Sequence, residues 1–390
     1  MIKFCKNLGL VMNFSKLLKQ KLDRIKENNL YRSRYILPED IIDFSSNDYL
    51  ALKDNPETKE KLCLNIEKLS LGSGASSLIS GYKDVQKQLE EELSKFKETE
   101  GCLVVGSGYL ANTGLIQALT SQEDVIFSDR LNHASIIDGI RLSKAKKVIY
   151  RHNDMNDLED KIKKEKTGGF KFIITDGVFS MEGDVVPFDQ LKTIADRYNA
   201  VIIVDDAHAT GIIGDGKGTV FHFGLKPDEN IIQVGTLSKA LGSYGAFICG
   251  SNILIDYLIN RMRTQIFSTA LSPVQNFISL SNLKIIQREP IRREKVLKLS
   301  EYLYKQAKKE KIDLNFYGTP ILTLIVGDEK KALHIRDKLL ENRLFVQAIR
   351  PPTVPEGSAR LRITISYKHS DNDINLLVKF LKEILENYHG

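Results

Sequence analysis

Apolar residues recur along this chain with a helical period in some stretches and as short continuous runs in others, and the alternation predicts the architecture. Phe14, Leu17, Leu18, Leu22 and Ile25 follow a helical period ending near Asn28 and Asn29, which predicts an N-terminal arm helix. A Gly/Ser loop, Gly72-Ser73-Gly74-Ala75-Ser76-Ser77, precedes an amphipathic helix marked by Val85, Leu89, Leu93 and Phe96. From Cys102 onward the texture changes. Apolar runs at 102–105, 125–127, 147–150, 172–174, 201–204 and 231–234 are bounded by polar turns, with a helical segment at 188–198 between two of them. Such runs predict buried parallel strands, so the expected core is a mostly parallel α/β sheet covered on both faces. After about residue 270 the alternation loosens. Helices at 291–309, 330–342 and 371–387 and strands at 321–326, 344–349 and 360–366 predict a smaller α/β domain. A chain of 390 residues suits this division, with an arm at 1–45, a large domain at 46–280 and a small domain at 281–390.

In sheets of this kind ligands sit at the carboxyl ends of the strands, and there the chain concentrates its reactive groups. The run 125–127 leads to Asn132-His133, 172–174 to Asp176 and Ser180, 201–204 to Asp205-Asp206-Ala207-His208, and 231–234 to Thr236 and Lys239. Gly235, Ser238, Ala240, Gly242, Ser243 and Gly245 surround Lys239, so the backbone can lie close to a ligand and few bulky side chains screen the amine. A deprotonated lysine forms Schiff bases with aldehydes, pyridoxal phosphate among them. Taken singly, Lys239 also reads as a surface lysine in a Gly-rich loop, one of 56 Lys plus Arg. Asp205-x-x-His208, taken singly, reads as a helix cap with a satisfied histidine or as half a metal site that no further ligand cluster completes. Together the strand ends suit a protonated pyridine ring, its phenolate oxygen and its phosphate. Gly106-Ser107-Gly108-Tyr109 opens a helix after the first run, and its N–H groups can hold a phosphate. No acidic residue closes a following strand as a dinucleotide would require, so a single phosphate is expected. Asn47 is either a locally bonded turn residue or a contact for a substrate carboxylate.

Composition narrows the function classes. The net charge of +6 is modest for this length, and the Lys-rich stretches 161–172 and 305–311 read as solvated helix faces. With no zinc-finger spacing and no aromatic RNA-binding signature, no nucleic-acid partner is expected. No apolar run is long enough to cross a bilayer, and the first 20 residues are interrupted by Lys3, Lys6 and Asn7, so a cytoplasmic protein is expected. Cys5, Cys63, Cys102 and Cys249 lack metal-ligand spacing and read as small buried hydrophobes in a reducing compartment; no metal is expected. Residues 1–12 read as an extension, with Met12 as an alternative start.

With Lys239, Asp205-x-x-His208, Ser180, His133 and the phosphate turn in view, the chain resembles the α-oxoamine synthase family of fold-type-I pyridoxal phosphate enzymes, from about Phe44 to the C-terminal helix. That resemblance implies a large domain with a mostly parallel seven-stranded sheet, a smaller C-terminal α/β domain and an N-terminal helical arm. It also implies roles. Lys239 is similar to the family's Schiff-base lysine, and Asp205 would pair with the pyridine nitrogen. His133 would stack on the ring, while His208 and Ser180 would bind its phenolate oxygen. Ser107, Gly108, Tyr109 and Thr236 would hold the phosphate, helped by Ser268 or Thr269 from a second subunit, which implies a homodimer with shared sites. Arg362 would take an amino-acid carboxylate with Asn47 nearby, and Thr353 and Arg32 would line the acyl-chain entrance. The signature Ala348-Ile349-Arg350-Pro351-Pro352-Thr353-Val354-Pro355, with Gly357-Ser358-Ala359-Arg360-Leu361-Arg362 after it, looks like that of the members joining L-alanine to a pimeloyl thioester of CoA or acyl-carrier protein, with loss of CO2, in biotin biosynthesis. A sister activity on glycine and acetyl-CoA is the alternative. A non-catalytic subunit of the same fold would be expected to lack Lys239. Ser77 and Asp176 depart from the family's usual Gly or Arg and Glu.

Overall fold

A computed structural model describes residues 14–388; the expected extension with its alternative start at Met12 lies outside the described residues. The large sheet contains β1 (Gly101–Val105), β2 (Val125–Asp129), β3 (Lys146–Tyr150), β4 (Lys171–Asp176), β5 (Ala200–Asp205), β6 (Ile231–Thr236) and β7 (Ala246–Gly250). Their order is β1-β7-β6-β5-β4-β2-β3. Only β7 runs antiparallel, against both β1 and β6, and the remaining pairs are parallel.

The period of a strand divides the sheet's side chains between two layers. Val125, Phe127, Ile173, Ile202 and Val204 pack with Leu158 and Ile162 of the helix Met155–Lys164 and with Phe188 and Leu191 of Phe188–Arg197. Their chain neighbours Ile126, Phe172, Ile174 and Ile203 face the other way, onto Ala111 and Leu115 of Gly108–Leu119 and Ile136 of Ala134–Leu142. Burial on both faces is why these strands read as continuous apolar runs. It also fixes the site, because a strand buried along its length can expose functional groups only where it ends.

The second sheet is antiparallel, with β8 (Ile321–Gly327), β9 (Gln347–Ile349) and β10 (Ala359–Thr364) in the order β9-β10-β8. The expected strand at 344–349 is split. Leu344–Phe345 pairs in parallel with Ile42–Asp43, while β9 turns onto β10. Thus the end of the expected arm and the start of the expected large domain are sewn to β10 and the segment after it: the Phe44 carbonyl accepts from the Thr364 N–H at 2.7 Å and the Tyr49 carbonyl from the Tyr367 N–H at 2.7 Å. This pairing carries Asn47 and Tyr49 to β10. Phe44, Tyr49, Leu50, the helix Pro273–Arg288 and the second sheet share one apolar cluster. The expected division at 280 falls within that helix, and we propose its end as the division between the two units.

Candidate active site

β5 ends at Asp205, β6 at Thr236, and β1 leads through Ser107 into the helix Gly108–Leu119. Lys239 follows β6 in a turn where its Nζ lies 2.7 Å from Nε2 of His208. His208 is buried, and its other ring nitrogen lies 2.6 Å from the Tyr49 hydroxyl. Burial, and then the neighbouring Lys239 and Arg362, hold the His208 pKa well below its usual value, so the imidazole is neutral. A neutral ring has one N–H and one lone pair, so its tautomer follows the charge on Lys239. Facing an ammonium, Nε2 accepts and Nδ1 donates to Tyr49; facing an amine, the roles reverse and the chain of bonds stays complete.

Burial pulls the Lys239 pKa down to about 8, opposed by Asp205 and reinforced by Arg362. The folded lysine therefore releases its proton more readily than the unfolded one. Between about 8 and the usual 10.5 the unfolded chain binds more protons, so this residue's contribution to stability rises with pH across that window. The expected result is that the cofactor-free protein loses this rise when Lys239 is replaced by Met, read as the pH dependence of the melting temperature.

Asp205 is buried, with Oδ1 accepting from the Ala207 N–H at 2.9 Å and Oδ2 from the Asn112 amide at 2.7 Å. Asn112 also donates to Ser135, whose hydroxyl lies 2.8 Å from Nδ1 of His133. One network thus orients the carboxylate and the imidazole. Asp176 accepts from the His133 N–H at 2.7 Å, and burial, with Asp205 nearby, pushes its pKa well up. The alternatives open for Asp205 and His208 are thereby narrowed. His208 pairs with Lys239 and Tyr49, and among the described residues no group of acidic, histidine or cysteine side chains could hold a metal.

Ser107 caps its helix, accepting from the Leu110 N–H at 3.2 Å. The first N–H groups of that helix have no intrahelical acceptor, and a Cβ added at Gly108 would meet only open space. Thr236 ends β6, its hydroxyl bonded to Ser238 at 2.7 Å and donating to the Gly245 carbonyl at 3.0 Å. The Tyr109 hydroxyl donates to Asp138. Ser268 and Thr269 do not line the cavity of their own chain; Thr269 forms a bridge with Ser76.

A cavity of about 340 Å³ is lined by His133, Ser180, His208, Lys239, Asn47 and Arg362, among others. Arg362 reaches it from β10 and donates to the Ser180 carbonyl at 2.5 Å, Thr364 at 2.9 Å and Asn47 at 3.0 Å. Asn47 thus bonds both within its own turn, accepting from the Tyr49 hydroxyl at 3.3 Å, and across to Arg362. Arg32 and Thr353 do not line this cavity; Arg32 donates to Thr353 at 3.2 Å and to the Pro351 carbonyl at 3.3 Å. Residue patterns gave no role to Tyr49, Asn112, Met181, Gln347 or Ile349. Asn112 left a signal, a buried polar residue with Thr113 beside it in a mostly apolar helix.

Pyridoxal phosphate fits these residues: a partly neutral buried amine, an ordered carboxylate, an imidazole beside each, and a glycine-opened helix terminus for the phosphate. The fold and site define a fold-type-I pyridoxal phosphate enzyme, and the profile of the family described as aminotransferase class I and II matches residues 39–381. The 8-amino-7-oxononanoate synthase of Lysinibacillus sphaericus is 47% identical over 342 residues, 87% of this chain and 88% of that one. The crystal structure of the same-named enzyme from Francisella tularensis superposes with a TM-score of 0.78 at 29% identity, covering 90% of this chain and 99% of that one. The serine palmitoyltransferase of Sphingomonas wittichii gives a TM-score of 0.88 at 25% identity, covering 97% and 98%. The chain belongs to the aminotransferase class I and II family and, within it, to the 8-amino-7-oxononanoate synthases.

Proposed function

We propose that this protein condenses L-alanine with a pimeloyl thioester, releasing the thiol and CO2 to give 8-amino-7-oxononanoate. One observation carries the reading. Arg362 is 6% exposed, yet among the described residues no carboxylate lies within 4.0 Å of its guanidinium, whereas Arg360 on the same strand pairs with Glu182 at 3.0 Å. A buried charge without a counter-ion is costly, so this one is best read as waiting for an anion. An arginine has five N–H donors, and those placed on Ser180, Thr364, Asn47 and, at 3.5 Å, the Tyr49 hydroxyl leave one for a carboxylate.

In the mechanism supported here, Lys239, Asp205, His133, His208, Ser180 and the Gly108–Tyr109 turn with Ser107 and Thr236 hold the cofactor. When bound, pyridoxal phosphate supplies an electron sink for negative charge developing at the amino acid's Cα. Arg362 and Asn47 fix the substrate carboxylate, which sets where Cα lies relative to Lys239. Lys239, with a pKa lowered to about 8, takes the Cα proton, freeing Cα to attack the thioester carbonyl as the thiolate leaves. After CO2 departs, Lys239 returns a proton to Cα. Arg32 and Thr353 stand where the acyl chain enters.

Leu71, Ile79 and Phe267 are exposed beside the segments carrying Ser76, Ser268 and Thr269, with Ile79 at 80% and Phe267 at 70%. This apolar face supports a homodimer in which Ser268 or Thr269 completes the partner's phosphate site. No described helix is long and apolar enough to cross a membrane, and the unpaired thiols of Cys63, Cys102 and Cys249 suit the cytoplasm.

The test loads the protein with pyridoxal phosphate and offers L-alanine, glycine or L-serine against acetyl-, pimeloyl- and palmitoyl-CoA, following thiol release. Alanine with pimeloyl-CoA is expected to win by about tenfold or more, the scale that a methyl or methylene group provides in a pocket. Preference for glycine with acetyl-CoA would replace the reading by the sister activity. A charged hydrogen bond contributes about 1.5–3 kcal/mol, so Arg362→Leu is expected to raise KM for the amino acid about 10- to 100-fold. An unchanged KM would remove Arg362 from substrate binding.

A further inference from the structure

Outside the cavity one histidine stands between two carboxylates. His152 follows β3; its Nδ1 lies 3.0 Å from Oδ1 of Asp129 at the end of β2, and its Nε2 lies 2.8 Å from Oδ2 of Asp184. A neutral imidazole has only one N–H, whereas ionised carboxylates only accept, so both contacts can be hydrogen bonds only if the ring carries both protons. Burial opposes that charge, but the two aspartates raise the His152 pKa to about 10. The ring also stands edge-on to Phe179, 4.4 Å between centroids.

Asp184 and Phe179 belong to a hairpin over residues 177–186, closed by the Val178–Val185 bridge and by the Phe179 N–H donating to the Asp184 carbonyl at 3.0 Å. The hairpin's tip touches the second sheet. The Gly183 carbonyl accepts from Thr319 at 2.7 Å, the Met181 carbonyl accepts from Arg360 at 3.0 Å, and the Ser180 carbonyl accepts from Arg362 at 2.5 Å. A Cβ at Gly183 would fall 2.4 Å from the Ile321 carbonyl oxygen, so the approach is close. Asn153 reinforces the base, donating through its backbone to Asp129 at 2.9 Å and through its amide to Asp184 at 2.9 Å. Further charges around the ring are Glu182 on the hairpin, Arg360 on β10 and, beyond Asp129, Tyr150 and Asp176 at the ends of β3 and β4.

We propose that His152, held as an imidazolium between Asp129 and Asp184, is a positioning residue for the reaction. It fixes the 177–186 hairpin to the large sheet, and the hairpin fixes Arg362 and thereby the carboxylate of the amino-acid substrate. His152 touches neither the cavity nor the cofactor residues. Its effect passes through Ser180, the only hairpin residue that both lines the cavity and bonds to Arg362 among the contacts described.

The inference rests on the amino-acid reading of the cavity, so its test separates the two. In cofactor-free protein labelled at histidine, nitrogen NMR is expected to show both His152 ring nitrogens protonated at about pH 8, where an unperturbed histidine is neutral. A singly protonated ring overturns the proposal. In cofactor-loaded protein, the dissociation constant for L-alanine is read from the absorbance change of the bound cofactor. His152→Gln is expected to raise it about tenfold, the effect of a small misplacement of a binding group, while KM for pimeloyl-CoA stays within about twofold. Asp184→Asn, which keeps the side chain's shape, is expected to move the same constant in the same direction and covers a His152→Gln protein that does not fold. Unchanged alanine binding in the variants overturns the clamp. A wild type that binds neither alanine nor glycine overturns the functional reading instead, and the protonation state of His152 then decides the clamp by itself.

Discussion

Lys239→Ala is expected to lower kcat by about 10⁴-fold or more, because a positioned general base contributes about 10²–10⁴-fold and the same amine also anchors the cofactor. The measurements are thiol release and the absorbance of the cofactor-loaded protein after gel filtration. Retention of turnover or of the anchored cofactor's absorbance would remove Lys239 from the chemistry. The stability of the cofactor-free protein should move the other way. Burial lowers the Lys239 pKa to about 8, so its charged form is disfavoured in the fold, and removing the amine relieves that strain at neutral pH. A catalytic amine that destabilises its own fold is what a site selected for reactivity would contain.

The parts of this site that the sequence discloses are those carried by strand ends. A strand buried on both faces has to be apolar until it stops, so Asp205, Thr236 and the turn at Ser107 and Gly108 stand out against the runs before them. β7 escaped for a local reason. It begins at Ala246, directly after the small residues around Lys239, and Phe247 reads as the loop's end and not as a strand's second residue. The seven-stranded sheet was expected only through the family resemblance.

Contacts between distant segments are the part that patterns do not show. Asn47 meets Arg362 across 315 positions, brought there by the parallel pairing of Ile42–Asp43 with Leu344–Phe345 and by the Phe44 and Tyr49 carbonyls accepting from Thr364 and Tyr367. The bond that takes Asn47 beyond its own turn therefore depends on pairings far away in the chain. His152 is similar: Asp129 lies 23 residues before it and Asp184 32 after, and none of the three has a composition or period that marks it.

Lys97 follows the same logic with a larger consequence for stability. It caps the C-terminus of the helix Asp84–Phe96, where a lysine reads as a solvated residue complementing the negative end of the helix dipole, yet its side chain and that of Asp206 are both 0% exposed. Nζ lies 2.7 Å from Oδ2 of Asp206, whose two oxygens also accept from the Thr219 N–H at 3.2 Å. Removing one member of a buried pair leaves the other charge uncompensated, at a cost of about 3–5 kcal/mol. Lys97→Met is therefore expected to lower the unfolding free energy by that amount, a large share of the roughly 5–15 kcal/mol that holds a typical domain together. Lys97→Met with Asp206→Leu is expected to recover only part of it, because the Thr219 N–H is then left buried without an acceptor. Urea unfolding monitored by circular dichroism reads both values. Asp206 is the chain neighbour of Asp205, so the single variant should also bind the cofactor more weakly; an unchanged unfolding midpoint would show that water or a shifted side chain compensates Asp206, and would sever the pair from the site.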